Sequence, residues 1–369
     1  MITRLLVDNF RCFSNLEVQL GPQCLIIGGN GTGKSAFLEV LTRIQAAVTG
    51  NVSLDDSFPL FTKTRWRSDP KQTFELDVAL REGRFRYTLE IDRIPGNDRP
   101  RVSLERLSLE GKPLFSFEAE TVQLYTDDHR ESATYPLDSH RSGLSVAPVR
   151  AENAKLTAFR AWMGNALFLR PHGLLNQANV SNAESLSPGF QFQFFFNWYR
   201  RLTNESPSAV YELNRAVKEF IPGLEELKFE SFGPNSKMLV AEHARPGRGD
   251  KFKLFFDEFS DGQKILVALY AVLHFAVARG ATVFIDEPDN FVSIRELQPW
   301  MSELDRAQPD GSRYVLISHN PEVIDNFTLD EILHFRRLGD GIVRAESLPG
   351  NQESNLPVRE LLARGWLGE

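Results

Sequence analysis

The stretch Gly28-Gly29-Asn30-Gly31-Thr32-Gly33-Lys34-Ser35 decides how this chain is read. It fits the spacing G-x-x-x-x-G-K-[ST], and its flanks suit that pattern. The apolar run Cys24-Leu25-Ile26-Ile27 ahead of it reads as a buried strand, and Ser35-Ala36-Phe37-Leu38-Glu39-Val40-Leu41 behind it reads as a helix. Glycines let backbone N–H groups turn inward around an anion where a Cβ would obstruct them. The following helix directs its positive end at the same anion. Asn30, Gly31, Thr32 and Gly33 would then wrap phosphate, Lys34 would reach the β- and γ-phosphates, and the Ser35 hydroxyl would bind Mg²⁺. The competing reading is a glycine-rich turn with no ligand. The strand before, the helix after and the Lys-Ser ending speak against it. The motif specifies nucleoside-triphosphate binding and leaves open which machine uses it.

The remaining composition narrows the class. At 369 residues, 42% apolar and 25% charged, the chain can bury a sizeable core without a metal or disulfide staple. A net charge of −7 argues against a protein that coats nucleic acid non-specifically, though not against a local basic groove. Cys12 and Cys24 lack ligand-like spacing and suit small core positions in a reducing, cytoplasmic compartment. Neither a signal-peptide-like run nor an apolar run of membrane-spanning length is expected, so no membrane partner is.

Alternating residues predict a hairpin over 1–20, a second around Glu82-Gly83 joining 74–80 to 85–91, and a strand pair over 102–109 and 113–118. The helix after the phosphate loop is expected to run to about Gln45. Helices are expected at 155–168, at 190–202 and at 209–220, the last stopped by Pro222-Gly223. The aromatic density of Phe190–Leu202 points to burial or an interface. Residues 224–257 return to strand-like alternation.

After residue 258 chemistry reappears. Ser260-Asp261-Gly262-Gln263 precedes an apolar helix, Ile265–Ala278. Thr282-Val283-Phe284-Ile285 is an apolar strand ending in Asp286-Glu287, and Tyr314-Val315-Leu316-Ile317-Ser318 is a second one delivering His319. Asp286 would join the Mg²⁺ shell and Glu287 would polarise an attacking water. Taken singly, each of these is a solvated turn or a surface histidine. Their order behind a phosphate loop gives them weight together.

That ordered set resembles the ABC-type ATPase heads of the SMC/RecF-like group and their bacterial AAA-type ABC relatives. The opening Ile2-Thr3-Arg4-Leu5-Leu6-Val7-Asp8-Asn9-Phe10-Arg11-Cys12-Phe13 is similar to their first strand and turn, and the Asn-Gly-Thr version of the loop to that branch. Ser260-Asp261-Gly262-Gln263 resembles the signature, Asp286-Glu287 the Walker B pair, His319 the switch histidine, and Asp289-Asn290-Phe291 the D-loop, with departures in the signature and after Asp-Glu-Pro. The quoted motifs lie in 1–48 and 255–337.

The resemblance implies an α/β P-loop NTPase: a mixed β-sheet flanked by helices, an N-terminal antiparallel β-subdomain and an inserted, mainly helical lid. The divisions expected are 1–125 for the N-terminal ATPase lobe, 126–225 for the lid, 226–345 for the C-terminal lobe and 346–369 for a tail. It implies ATP and Mg²⁺ as ligands. The catalytic set is then Glu287, His319 and Lys34, with Ser260, Gly262 and Gln263 facing nucleotide from a second subunit. Arg11 or Phe13 would flank adenine, and Gln72 is the candidate for the metal-facing Q-loop glutamine.

The family implies a head-to-tail homodimer, or a higher oligomer, with ATP at its interface. We expect a regulatory ATPase that controls a separate effector protein in bacterial phage defence or toxin control. About 30 residues follow the last ATPase strand, so an appended nuclease is not expected. The alternative is a RecF-like DNA-repair ATPase clamping duplex DNA, with Lys63, Arg65, Arg67, Lys71, Arg245, Arg248, Lys251 and Lys253 lining a groove. An idle scaffold is opposed by Glu287 and His319, and a transporter subunit by the Asn-Gly-Thr loop and the unmatched middle of about 200 residues.

Overall fold

The computed structural model describes residues 1–348 except 51, 94, 95, 97, 246, 248, 249, 308–313 and 340, together with residue 360. Arg248 and nearly all of the expected tail lie outside the described residues. The chain divides into two compact units. One comprises Met1–Ala166 with the described residues 328–348, and the other comprises Leu167–Phe327 with residue 360.

An antiparallel sheet dominates the first unit. Its strands run in the order Leu16–Gln19, Ile2–Asp8, Gln72–Leu80, Gly83–Arg93, Pro100–Leu109, Lys112–Glu118, Thr121–Tyr125 and Glu131–Pro136. Period-two alternation puts Phe85, Tyr87, Leu89 and Ile91 on one fully buried face. Phe159, from the helix Ala154–Asn165, packs 5.7 Å from both Phe85 and Tyr87. Glu110 and Gly111 both take positive φ, 48° and 77°, as a tight type I′ hairpin turn requires. The last two strands were not foreseen. Glu131–Pro136 carries no buried residue, so no apolar pattern marks it.

The same unit carries Gln23–Gly28, paired in parallel with Ile332–Arg337, which pairs antiparallel with Val343–Ser347. Helix Lys34–Thr49 buries Phe37, Leu38, Leu41, Ile44 and Val48, and Phe37 meets Phe335 edge-on at 5.7 Å. It runs past Gln45 because its stop signal is Gly50, at φ 72°, whose N–H closes on Ala46 and Ala47.

In the second unit Leu167–Leu169, Val283–Asp286 and Tyr314–Ile317 form a parallel trio. The helix Asp261–Phe275 is buried from Ile265 through Leu273. Together with the turn after it, as Asp261–Arg279, it is the one described helical segment long and apolar enough to cross a membrane, and 67% of its apolar window is buried inside the protein. Lys237–Ala244 pairs antiparallel with Leu224–Ser231 and with Lys251–Phe255.

Two expected helices are shorter than predicted. The 155–168 segment ends at Asn165, because Leu167 N–H donates to Thr282 O at 2.9 Å and enters the sheet. The aromatic helix starts at Phe195, after a turn in which Phe192 takes φ 56°. Phe192, Phe195, Phe196, Trp198 and Tyr199 are buried, with Phe195 stacked on Tyr199 at 5.8 Å and Trp198 edge-on to Phe275 at 5.9 Å. This cluster is core and not a contact surface. Their neighbour Phe194 stands out, 49% exposed.

Candidate nucleotide site

The phosphate loop sits in the first unit between strand Gln23–Gly28 and helix Lys34–Thr49. Gly28, Gly31 and Gly33 take φ of 147°, 78° and 94°. Two of them are fixed by space as well as dihedral. A Cβ on Gly28 would lie 2.3 Å from Phe335 O, and one on Gly33 would lie 2.6 Å from the Phe13 ring and 2.7 Å from Cys12 Sγ. Thr32 Oγ1 donates to Gly29 O at 2.9 Å and braces the turn. Lys34 Nζ donates to the carbonyls of Gly28 and Gly29, at 2.7 and 2.9 Å, so the ammonium lies along the loop. Gly33 supplies no side-chain cap, and the first helical turn holds no acid. A helix start with no side-chain cap and no first-turn acid suits an anion site. Asn30 and Ser35 are exposed.

The adenine candidates separate. Phe13 is wholly buried, 6.5 Å from Phe335, and supports the loop from beneath. Arg11 is half-exposed. Its guanidinium forms two bonds to Glu39, at 2.7 and 3.0 Å, and stands 4.7 Å over the exposed ring of Phe61. Of the two candidates Arg11 is accessible, beside the exposed Phe61 ring, and Phe13 is not. Gln72 does not serve as a metal ligand here. It is fully buried, its Nε2 donates to Asn9 O at 3.0 Å, and its Oε1 accepts from Arg93 at 3.2 Å. The amide is a strut that holds the turn after the first strand.

The second unit presents the acidic pair. Asp286 ends its strand in register with Ile317, and Glu287 N–H donates to Ile317 O at 2.8 Å. Glu287 and exposed His319 therefore leave neighbouring strands at the carboxyl edge, where ligands of parallel sheets bind. Glu287 takes φ 53°, a left-handed conformation that costs a non-glycine residue about 1–3 kcal/mol. Asn290 Nδ2 donates to Glu287 Oε2 at 3.2 Å and holds the side chain. Asp286 is 2% exposed and accepts from Arg170 through Nε, at 2.9 Å, and through Nη2.

Ser260 caps the helix Asp261–Phe275. Its Oγ accepts from Gln263 N–H at 3.3 Å, and Gln263 Oε1 accepts from Ser260 N–H at 3.1 Å. The close approach at Gly262 is internal: a Cβ there would lie 2.6 Å from Phe291 O. Phe291, at φ 69°, thus locks the segment after the acidic pair onto the signature turn.

A family model described as "AAA domain, putative AbiEii toxin, Type IV TA system" matches residues 25–325. The chain belongs to this family. The match runs through the middle of the chain, where no motif is legible. The chain is 28% identical over 169 residues to an OLD nuclease from Thermus scotoductus, covering 41% of this chain and 31% of that protein. It is 29% identical over 106 residues to a multidrug resistance protein, fer6, from Mycosarcoma maydis, covering 26% of this chain and 8% of that protein. It therefore spans less than a third of either curated relative. Among solved structures, an SMC head bound to the C-winged helix domain of ScpA superposes with a TM-score of 0.58 at 12% identity, covering 95% of this chain and 98% of that one. The fold is that of a P-loop ATPase head of the SMC/RecF-like ABC group.

Two arginines of this AAA-family chain escaped the sequence reading. Arg170 directly follows the strand Leu167–Leu169, and a parallel register with Leu169 opposite Ile285 carries it to Asp286. Arg337 donates to Gly31 O at 3.0 Å and clasps the tip of the phosphate loop. Only a parallel-strand prediction would have flagged either. Five of the eight basic-loop residues are ion-paired within the chain, whereas Arg65 is exposed without an ion pair among the described residues and Lys63 bonds the Arg67 carbonyl. Lys71 pairs with Glu90, Arg67 with Asp8, Arg245 with Asp250, Lys251 with Glu242 and Lys253 with Glu230.

Proposed function

We propose that this chain binds and hydrolyses Mg²⁺-ATP, and that nucleotide-dependent association of two copies controls a separate effector in phage defence or toxin control. The observation that carries the ATPase reading is the loop itself. Three left-handed glycines, a lysine lying along the loop carbonyls and a helix start with no side-chain cap form a phosphate cradle. Lys34 turns from those carbonyls to the β- and γ-phosphates. No cluster of three His, Cys, Asp or Glu suited to a metal occurs among the described residues. Mg²⁺ uses one or two protein ligands plus phosphate oxygens and waters. Ser35 and Asp286 are the donors we assign to it. When bound, the ion neutralises charge on the transferred phosphoryl group. Glu287 takes the proton of the attacking water, and His319 donates to the γ-phosphate. The Ser260 hydroxyl of a second copy would face that phosphate, so hydrolysis removes the charge that joins the copies.

The effector reading draws on the toxin–antitoxin description of the family and on the OLD nuclease relative. Residues 126–225 are our candidate for its docking lid. The carboxylate pairing of Arg67, Lys71, Arg245, Lys251 and Lys253 weighs against the DNA-clamp alternative. Glu287→Gln is the test. ATP binding should persist, turnover should nearly vanish, and the dimer should accumulate with ATP in sedimentation. Turnover equal to the parent's would remove Glu287 from the mechanism.

A further inference from the structure

The second unit contains a cavity of about 660 Å³, walled by the helices Pro207–Val217, Asp261–Phe275 and Ile294–Arg306 and the turn after the first. This size lies within the range of small-ligand sites. Tyr270 reaches it from the middle helix. The phenol is 3% exposed and sandwiched between Phe220, at 5.5 Å, and His274, at 6.1 Å. Both ring faces are covered, and the hydroxyl makes no hydrogen bond among the described residues. The hydroxyl oxygen is open to the cavity and so is available to a ligand there.

The charges around it are unbalanced. Glu212 and Arg215 pair at 2.7 Å and cancel. Glu296 accepts from Ser293 at 2.6 Å and keeps its charge. Glu219 and Glu303 have no ion-pair partner among the described residues, and Arg295 is the remaining cation of the lining. Burial holds His274 toward its neutral form, so it does not offset them. Burial also raises the Glu303 carboxyl, as expected of an acid without a counter-ion. No described cluster of acids and histidines suits a metal.

We propose that this cavity binds a primary ammonium group on an aliphatic chain, held by the carboxylates of Glu219 and Glu303 and the hydroxyl of Tyr270. An ammonium has three N–H donors and no acceptor, which matches a lining that offers two carboxylates and a hydroxyl oxygen. Its methylenes would lie against Phe220. Polyamines and lysine side chains share this chemistry. The site stands independently of the ATPase reading, because none of its residues belongs to the nucleotide machinery.

The experiment is calorimetric titration of the full chain with spermidine and, separately, with the tripeptide acetyl-Gly-Lys-Gly-amide. Saturable binding should appear with at least one probe. Glu303→Gln and Tyr270→Phe should each weaken it by about tenfold or more, the usual effect of losing one charge-assisted hydrogen bond. Tyr270→Phe keeps the ring sandwich, so it stays informative if Glu303→Gln folds poorly. Tighter binding of spermidine assigns the site to free polyamines, and tighter binding of the tripeptide assigns it to a lysine of a partner protein. No saturable heat with either probe overturns the proposal, as does binding that both variants leave unchanged.

Discussion

Arg170→Met would separate the ion pair at Asp286 from the packing around it. The Asp286 carboxylate is 2% exposed, and both Nε and Nη2 of Arg170 bond its Oδ2. Methionine keeps most of the apolar stem and removes the cation. Removing one partner of a buried pair costs about 3–5 kcal/mol, because the charge left behind stays desolvated. The Arg170 side chain is itself 22% exposed, so the lower end applies. We expect a loss of about 3 kcal/mol. At about 2–4 °C per kcal/mol for a domain of 150–250 residues, melting should fall by about 6–12 °C. Differential scanning calorimetry on the parent, Arg170→Met, Asp286→Asn and the double variant completes a cycle. Asp286→Asn should be milder, since a partly exposed Arg170 can turn to water. The double variant should recover much of the loss, giving a coupling of about 2 kcal/mol. A coupling below about 0.5 kcal/mol would mean the pair is incidental.

Two further outcomes follow from the loop and the signature turn. Gly33→Ala places a Cβ 2.6 Å from Phe13 at φ 94°, so urea unfolding should show a loss of about 1–3 kcal/mol, and fluorescent-ATP anisotropy should show lost binding; unchanged affinity would sink the cradle reading. Asp261→Asn removes a carboxylate from the signature helix start that Lys264 reaches only at 3.9 Å. In a Glu287→Gln background, ATP-dependent dimerisation should tighten about fivefold, an effect of about 1 kcal/mol; sedimentation showing no change would mean Asp261 never approaches phosphate.

Local chemistry was legible in the sequence, and long-range pairing was not. The phosphate loop declares itself because its glycines answer to backbone geometry within eight residues, Gly28 through Ser35. Glu110-Gly111 is readable for the same reason. Arg170 is silent because its role exists only once Leu167–Leu169 finds Val283–Asp286, and its own neighbourhood looks like the tail of a helix. Gln72 misled in the opposite way. It stands at a strand start, as a Q-loop residue might be imagined, yet Asn9 and Arg93 use both ends of its amide. The aromatic run from Phe190 shows that density alone does not distinguish core from interface; the partners in space decide it.

The two helix starts that the proposed mechanism uses differ in how they satisfy themselves. The Lys34 helix has a glycine cap, no side-chain acceptor and no first-turn acid, so its terminal N–H groups favour any phosphate offered. The Asp261 helix is already served. Ser260 and Gln263 take each other's N–H groups, and Asp261 adds negative charge in the first turn. What it has left for phosphate is the Ser260 O–H as a donor, with the N–H groups of Asp261 and Gly262. A cradle built this way binds nucleotide by itself, whereas a self-capped turn gains little until a γ-phosphate is already fixed opposite it. In the proposed mechanism ATP therefore loads before the copies join, and the charge of Asp261 keeps the joined state weak enough to come apart.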